Sequence, residues 1–267
     1  MVTTTVFYIF LYITMVCTLI ILSRPGHDWP LIIAANRDER IDRPSRPPGR
    51  HWPERGHVTA GQDILAGGSW LGVNAYGLAA GILNHSGTLG PDPELRSRGE
   101  LTLEALEHAE AKVAVKAFGE LNPHAYRPFN LFVGDANDAY WISSLNESGE
   151  PGMRLANIPT GVSMLTDKDL NDVSSPRTRH NLPRFIEAPS PEPSNNDWSA
   201  WQELLAAKAF EDGARPSEAM MIQPDDGFGT VSSSLLALPS PRFPPLKPCW
   251  IFAPGAPDQA TFEPVQL

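Results

Sequence analysis

The sequence is poor in cysteine, with only Cys17 and Cys249 among its 267 residues. Two cysteines cannot form the disulfide framework that holds small secreted domains together, and they fit a reducing, cytoplasmic compartment. Positive charge is also scarce, because 21 lysines and arginines stand against 31 acidic residues and give a net charge of −10. A protein that binds the phosphate backbone needs a basic surface, so nucleic acid is not an expected partner.

Motifs for cofactors and metals are missing as well. The chain has no G-x-x-x-x-G-K-[ST] loop and no G-x-G-x-x-G after a predicted strand, which argues against a nucleotide cofactor. Its seven histidines show no metal-ligand spacing. His51 and His57 lie six residues apart in a predicted loop, where solvation is the expected state. We therefore expect neither a cofactor nor a metal.

One uncharged hydrophobic run is present, at residues 6–22. A transmembrane helix needs about 17–25 apolar residues, so this run is long enough to anchor the protein in a membrane. Alternatively, Met15 is the true start, residues 1–14 are an upstream extension, and residues 17–22 form a short strand. The second interpretation is preferred and gives a cytoplasmic protein, whereas the first gives a protein anchored through residues 6–22.

Proline is abundant, at 27 residues, and limits the length of helices. Apolar runs and turn residues predict short strands joined mainly as hairpins. The predicted strands are 17–22, 29–36, 70–74, 78–83, 129–134, 139–143, 161–166, 230–238 and 249–253. Helices are predicted from a capping box at residues 97–100 to about residue 118 with a break in the middle, and at 175–186 and 198–210. The expected class is α+β with mostly antiparallel sheets.

A polar run, Asn36-Arg37-Asp38-Glu39, directly follows the apolar strand predicted at residues 29–36. Alternate residues of a strand face opposite sides, so some of these side chains point back toward a site. A carboxylate and a guanidinium at the mouth of a strand can orient a nucleophile or an anionic ligand. A solvated strand end shows the same pattern, and from these residues alone both interpretations stay open.

Four motifs follow one another along the chain. They are NRDE at residues 36–39, GGSWLGV at 67–73, SRGEL at 97–101 and PFNL at 128–131. Together they resemble the NRDE family, which is the transport and Golgi organisation protein 2 family. The family's opening of Met, Cys and apolar residues matches the chain from Met15, except that Val16 intervenes. The resemblance runs from about residue 15 to the C-terminus and implies a single domain over residues 15–267.

This family is in turn similar to the N-terminal-nucleophile hydrolases, in the branch of cysteine acylases. The resemblance implies a four-layer αββα sandwich in which an N-terminal cysteine attacks a carbonyl and its own α-amino group acts as the base. It places the nucleophile at Cys17, an aspartate beside it at Asp38 and an oxyanion-hole donor at Asn84. Asp167 falls where the acylases carry a second asparagine, and Ala35 falls where they carry an arginine.

The resemblance implies two candidate functions. The preferred one is the binding or trafficking of a small anionic or amphipathic ligand of the haem or acyl-CoA type, as in haem trafficking, lipid homeostasis, secretion and Golgi organisation. It is preferred because two acylase positions differ. If translation starts at Met15, removal of the methionine exposes Val16 and not Cys17, and the thiol has no free amine beside it; whether Cys17 becomes N-terminal stays open. The alternative is a cysteine hydrolase that cleaves a linear acyl amide or thioester.

The two functions would use overlapping residues. The expected ligand-binding residues are Asn36, Arg37, Asp38, Glu39 and His85. Further arginines in the loop that follows, at Arg40, Arg43, Arg46 and Arg50, are expected to meet propionate or phosphate groups. For the hydrolase, the expected catalytic residues are Cys17, Asp38, Asn84 and Asp167.

Overall fold

The computed structural model describes residues 17–85, 88, 92–147, 150–242 and 246–267. Residues 1–14, predicted as an extension or an anchor, lie outside this part, as does the hydrophobic run up to residue 16. Residues 18–22 of that run belong to a strand inside a sheet. Among the described residues, no helix is long and apolar enough to cross a membrane.

The described residues form runs of short strands with two pairs of helices between them. The strands are β1 (Thr18–Ser23), β2 (Leu31–Arg40), β3 (Ser45–Gly49), β4 (Val58–Asp63), β5 (Leu71–Asn74), β6 (Ala79–Asn84), β7 (Phe129–Gly134), β8 (Ala139–Glu147), β9 (Glu150–Asn157), β10 (Gly161–Leu165), β11 (Phe228–Leu238), β12 (Cys249–Ala253) and β13 (Glu263–Pro264). The helices are α1 (Gly99–Ala105), α2 (Ala111–Phe118), α3 (Pro176–Glu187) and α4 (Ser199–Leu205).

These strands make two antiparallel sheets. The first has six strands in the order β10-β1-β2-β11-β12-β13, and the second has seven in the order β3-β4-β5-β6-β7-β8-β9. The second sheet is a simple meander, because each strand pairs with the next one in sequence. In the first sheet β1 and β2 form a hairpin, and later parts of the chain add a strand on either side of it.

Three apolar layers hold the sheets and helices together. Helices α3 and α4 pack on one face of the first sheet through residues such as Ile20, Ile32 and Trp201. The opposite face of that sheet, including Leu19 and Ile33, packs against the second sheet. Helices α1 and α2 cover the outer face of the second sheet. Because side chains alternate along each strand, one strand can supply two layers at once. The predicted four-layer αββα sandwich is confirmed.

The predicted elements agree with the structure except where the sequence pattern was weak. The hairpin of β1 and β2, the interrupted helical stretch of α1 and α2, and the start of α3 after Ser175 are confirmed. Strands β3, β4, β9 and β13 were not predicted. Strand β3 reads SRPPG, and prolines are tolerated there because β3 is at the edge of its sheet. Helix α4 ends at Leu205, about one turn earlier than predicted.

The polar run at residues 36–39 was predicted to follow a strand but is part of it. Strand β2 continues to Arg40 because it pairs on one side with β11 as far as Phe228. The long partner strand therefore holds the four polar residues in extended conformation. This outcome matters for the site, because it fixes which of their side chains face which layer.

Candidate functional site

Cys17 and Arg37 lie side by side on the inner face of the first sheet. Thr18 pairs with Asn36 in the β1–β2 ladder, so the residues one step further along each strand, Cys17 and Arg37, project together on the opposite face. Cys17 packs against the apolar layer between the two sheets. Its Sγ is 3.5 Å from the backbone oxygen of Asp38. The two strands thus bring a thiol and a guanidinium to the same end of the inter-sheet layer.

A cavity of about 540 Å³ opens beside this pair. It is bounded by β2, by the turns on either side of the GGSW segment, by the end of β6 and by the residues that precede α1. Its lining includes Cys17, Arg37, Trp70, Asn84, Arg98 and Arg127. The cavity is therefore built from the residues of all four sequence motifs or their immediate neighbours.

The side chain of Asp38 does not enter the cavity but points to the helical layer behind it. There its Oδ2 accepts a hydrogen bond of 2.8 Å from Nη1 of Arg177, and its Oδ1 accepts one of 2.5 Å from the hydroxyl of Thr230. Asp38 and Arg177 are both fully buried as side chains. Burial raises the pKa of Asp38, and the ion pair with Arg177 and the bond from Thr230 oppose that rise. Asp38 thus contributes its backbone to the cavity and its carboxylate to the fold.

A β-bulge in β11 brings Thr230 to Asp38. The ladder pairs Asn36 with Ser233 but Asp38 with Thr230, so an extra residue is inserted opposite the Arg37–Asp38 step. Ser233 donates to Asn36 and Thr230 donates to Asp38 on the same face of β2. Residues three apart on a regular strand would face opposite sides, so only the bulge allows both contacts.

Arg37 is held over the ring of Trp70. The guanidinium carbon is 4.2 Å from the ring centroid, and Nη1 donates to the hydroxyl of Ser45 at 3.2 Å. Only 6% of the side chain is exposed, and burial lowers the pKa of Arg37. Trp70 in turn lies against Gly61, where any side chain would overlap its ring. A cation held over an aromatic ring at a cavity wall is suited to an anionic ligand.

Arg98 enters the cavity from the other side, where two motifs meet. The GGSW and SRGEL segments approach closely at Gly68 and Gly99, and the amide of Ser69 donates to the carbonyl of Gly99 at 2.9 Å. This contact holds Gly99 in place and therefore also positions Arg98, which precedes Gly99 in the chain. Nη1 of Arg98 donates to the carbonyls of Thr88 and Pro128 at 3.1 and 3.0 Å and to the Thr88 hydroxyl.

The predicted capping box at residues 97–100 is wrong. Arg98 is the residue that caps α1, without a side-chain bond, and the Ser97 hydroxyl accepts instead from the amide of Gly99 at 3.3 Å. The Glu100 carboxylate accepts from the hydroxyl of Tyr126 and from Arg96. The glutamate is drawn to these stronger partners, because a phenol and a guanidinium compete with the backbone amide that a capping box would offer.

The thiol of Cys17 is in its neutral form at physiological pH. Burial and, to a smaller extent, the negative charge of Asp38 raise its pKa to about 12. Nucleophilic cysteines depend on the opposite effect, since the thiolate is the reactive species. In the sequence Val16 precedes Cys17, so in the unprocessed chain the nitrogen of Cys17 is an amide and not an amine. The thiol of Cys17 therefore lines the cavity in a form that is not activated for nucleophilic attack.

The two predicted oxyanion positions lie in different surroundings. Asn84, the last residue of β6, lines the cavity together with Cys17. Asp167 follows the end of β10 by two residues and is not among the described residues that line the cavity. Its loop is held by Asn130, which donates to the carbonyls of Thr166 and Lys168 at 3.0 and 2.8 Å. Asn130 belongs to the PFNL motif, which therefore has a structural task.

Two of the expected ligand-binding residues do not reach the cavity. Asn36 faces the helical layer, where its amide donates to the carbonyls of Leu205 and Met220 and accepts from Ser233. It is a structural residue, because strand alternation turns it away from Arg37. His85 follows β6 and lies 4.0 Å from Asp169. Neither is among the described residues that line the cavity.

The arginines of the loop after β2 divide into two groups. Arg40 and Arg43 line the cavity, as Glu39 does, and they are ion-paired with acidic neighbours: Arg40 with Asp42, and Arg43 with Asp63 and Glu39. Arg46 and Arg50 are exposed and are not among the described lining residues. The expectation that the whole loop meets a ligand is thus too broad, because β3 turns its second half away.

Arg177, Thr230 and Arg98 were not predicted as site residues. One signal pointed to Arg177: it follows Ser175 and Pro176 in the first turn of a helix, where the macrodipole disfavours a cation unless it has a partner. The partner is Asp38. For Thr230 the sequence holds no comparable signal, because its role depends on a bulge. Arg98 belongs to the SRGEL motif, but the capping-box pattern at residues 97–100 assigns this segment to a helix start and not to a site.

This architecture, with a cysteine at the start of the first strand of an αββα sandwich, defines a protein with an N-terminal-nucleophile-hydrolase-like fold. The chain belongs to the transport and Golgi organisation 2 family, whose sequence model matches residues 16–240. It is 33% identical to the human Transport and Golgi organization protein 2 homolog over 128 residues, 45% of each chain. With the mouse homolog it shares 33% over 110 residues, 39% of this chain and 38% of that protein. The match spans less than half the length of these relatives.

Two solved structures show the same fold. One is a Caenorhabditis elegans N-acylethanolamine-hydrolyzing acid amidase ortholog, with a TM-score of 0.54, 14% identity, and coverage of 86% of this chain and 94% of that one. The other is a variant of conjugated bile acid hydrolase from Clostridium perfringens, with a TM-score of 0.52, 12% identity, and coverage of 94% and 97%. At such identities the likeness shows the fold alone.

Proposed function

We propose that this protein binds a small anionic, amphipathic ligand of the haem or acyl-CoA type in the cavity beside Cys17, as a carrier. The observation that carries this proposal is the lining of the cavity. Its described lining combines apolar side chains and the ring of Trp70 with six arginines against four acidic residues, in a protein whose net charge is −10. Such a concentration of positive charge in an acidic protein is expected where a ligand carries the opposite charge.

The apolar part of the cavity suits the other half of such a ligand. Leu65, Trp70, Ile82 and Leu83 lie in its wall. A volume of about 540 Å³ falls within the range of about 300–1,000 Å³ usual for small-molecule sites. A carboxylate or phosphate can meet Arg37 while the acyl chain or porphyrin edge contacts these apolar side chains.

The neutral thiol favours a carrier over an enzyme. Among the described residues, the groups that contact the Cys17 thiol or shift its pKa include no histidine, and the pKa is raised to about 12, mainly by burial. Attack on a carbonyl needs the thiolate, which this environment disfavours. The scaffold of a hydrolase can thus serve binding without turnover.

Titration of the full-length protein with palmitoyl-CoA and, separately, with haemin tests the proposal. Trp70 lies in the cavity wall, so tryptophan fluorescence reports on occupancy, and the Trp70→Phe variant identifies its share of the signal. We expect saturable binding that weakens about tenfold in Arg37→Met, as the loss of one charge-assisted hydrogen bond implies. Arg179→Met is the matched control, because Arg179 is exposed and paired with Glu211 outside the cavity. Equal affinities in the two variants, or no saturation, would contradict the proposal.

A cysteine hydrolase is the second candidate, because Cys17 and Asn84 line one cavity. The test is incubation with an N-acylethanolamine and with a conjugated bile acid, the substrates named for the two solved relatives, followed by analysis of the released amine. A hydrolase loses its turnover in Cys17→Ala and keeps it in Cys249→Ala, since Cys249 lies in β12 with its thiol on the carbonyl of Lys247. A carrier shows no turnover in any form, and its ligand affinity changes little in either variant.

A further inference from the structure

One edge of the Arg98 guanidinium is unused by the protein. Its Nη1 makes all three of its hydrogen bonds, to Thr88 and Pro128. Nε and Nη2 make none with the described residues, and neither is sealed from solvent. These two nitrogens form the side-on edge of a guanidinium, whose parallel N–H groups match two oxygens of one carboxylate or phosphate.

No carboxylate of the described residues lies within 4.0 Å of Arg98, which distinguishes it from Arg40 and Arg43 in the same cavity. The nearest strong influence is another cation, Arg127. Burial and, to a smaller extent, the charge of Arg127 lower the pKa of Arg98 to about 10. Arg98 is still charged at neutral pH. Arg127 is itself paired with Asp92 at 3.9 Å, so among the described arginines of this cavity it is Arg98 that lacks a carboxylate partner.

The position of Arg98 relative to Cys17 gives the site a direction. Both residues line the cavity, and ionisation of the Cys17 thiol would raise the pKa of the Arg98 guanidinium, so the two groups influence each other. Arg37 lies next to Cys17 on β2 and faces the same space. An anion held by Arg98 therefore lies in the part of the cavity that contains the thiol.

We propose that the Nε–Nη2 edge of Arg98 binds the oxyanion of the ligand headgroup, a phosphate or a carboxylate, inside the cavity and next to Cys17. This inference rests on the proposed binding function and adds to it the place and orientation of the headgroup. The anionic end of the ligand then lies at Arg98, and its apolar part extends along Trp70 and Leu65.

The reactivity of Cys17 toward two alkylating reagents tests this subsite in the unmodified full-length chain. Iodoacetate and iodoacetamide are similar in size, and both react with the thiolate to form a thioether and release iodide, but only iodoacetate is an anion. Because both need the same thiolate, the ratio of their rates cancels the raised pKa of Cys17. Peptide mass spectrometry measures this ratio at Cys17 and at Cys249, which lies away from the cavity and is the internal control.

We expect the iodoacetate-to-iodoacetamide ratio to be about fivefold higher at Cys17 than at Cys249, as one charge-assisted contact implies. Inorganic phosphate should lower the Cys17 ratio by competition, while chloride at equal ionic strength should not. In Arg98→Met the ratio should fall to that of Cys249, and Arg98→Lys should give an intermediate value because it keeps the charge without the paired N–H groups. Arg179→Met should leave it unchanged. Equal ratios at the two cysteines of the wild-type protein, insensitive to phosphate, would overturn the proposal.

A second measurement decides the matter without alkylation. Phosphate should raise the melting temperature of the wild-type protein above its value in chloride of equal ionic strength, by less in Arg98→Lys, and not at all in Arg98→Met. The absence of this shift in the wild type counts against the subsite. Acetate in place of phosphate distinguishes the two headgroups.

Failure of the subsite and failure of the binding function give different results. If palmitoyl-CoA binds wild type and Arg98→Lys equally, the subsite is wrong and the binding function stands. If phosphate binds through Arg98 but neither palmitoyl-CoA nor haemin binds at all, the subsite stands and the proposed ligand class is wrong.

Discussion

Asp38 and Arg177 form a fully buried ion pair, with 2.8 Å between Oδ2 and Nη1, that connects the first turn of α3 to β2 directly behind Cys17. Arg177 also donates to the hydroxyl of Thr18 and the carbonyl of Ser217. One guanidinium thus joins the two strands that present the cavity residues to the helical layer. The end of β2 where Arg37 lies is held in place from behind.

Arg177→Met should destabilise the protein by about 3–5 kcal/mol, because it leaves the Asp38 carboxylate buried without its cation. Combining it with Asp38→Asn should recover part of that loss, since the uncompensated charge is removed. Urea denaturation measures both. The matched control is Arg179→Met on the same helix, whose ion pair with Glu211 is exposed and is expected to contribute less than about 1 kcal/mol. Similar losses for the two arginine variants would show that the buried pair has no special weight.

Gly99→Ala should destabilise the protein by about 1–3 kcal/mol, the usual effect of overpacking. A side-chain carbon there would lie 3.1 Å from the amide nitrogen of Ser69 and 3.2 Å from Gly68, and both neighbours are backbone that cannot rotate away. Gly99 directly follows Arg98 in the chain, so a shift of Gly99 also moves Arg98. The ligand affinity should therefore fall as well.

Gly56→Ala is the control for this substitution. Gly56 has ordinary helical backbone angles, and a Cβ atom added there would have no neighbour within 4 Å. Its melting temperature and ligand affinity should equal those of the wild type within error. A Gly99→Ala protein with the same melting temperature as Gly56→Ala would refute the close-approach argument.

The sandwich layers and the placement of Cys17 beside Arg37 could be predicted from the sequence, because both depend on the local pattern of apolar and turn residues. Strand alternation and the hairpin signal locate β1 and β2, and these alone place Cys17 beside Arg37. The resemblance to the NRDE family adds the fold and points to Asn84, which lines the cavity. These results need no knowledge of distant contacts.

The contacts that hold the Asp38 side chain could not be predicted, because they join residues that are far apart in the sequence. Arg177 reaches Asp38 across 139 positions and Thr230 reaches it across 192. The contact between Thr230 and Asp38 needs a β-bulge, and no residue pattern in β11 predicts it. Asn36 was expected in the cavity for a related reason: strand alternation shows that Asn36 and Arg37 face opposite sides, but not which side holds the ligand.

The reactivity of Cys17 should have an unusual pH profile. Its pKa is raised to about 12, mainly by burial, so alkylation by iodoacetamide should rise about tenfold per pH unit from pH 7 to 10 without a plateau. In denaturant the same thiol should level off near its ordinary pKa. Since the folded pKa is above the unfolded one, stability is unaffected below the unfolded value and falls as pH rises above it. A plateau near pH 8 or below in the folded protein would show an activated thiolate and favour the hydrolase.

Asn130→Asp should loosen the loop that carries Asp167. The Asn130 amide donates to the carbonyls of Thr166 and Lys168, and its oxygen accepts from the indole of Trp141 at 2.9 Å. A carboxylate keeps the acceptor but cannot donate to either carbonyl. The expected loss is about 2–4 kcal/mol, from two buried carbonyls left without donors. Asn122→Asp is the control, because Asn122 is exposed and only accepts a bond, from the amide of His124, which aspartate can also do.

The loss in Asn130→Asp should also depend on pH, with a sign that the geometry fixes. A protonated carboxyl group can donate to one of the two carbonyls, whereas the ionised group repels both, so the pKa of the introduced carboxyl is raised in the folded state. The difference in stability from the wild type should therefore be small at acid pH and grow as pH rises above about 4, the unfolded value. Urea denaturation at pH 5 and pH 8 measures it. A loss that is equal at both pH values would mean that the amide of Asn130 does not donate to these carbonyls, and that the PFNL motif holds the loop by packing alone.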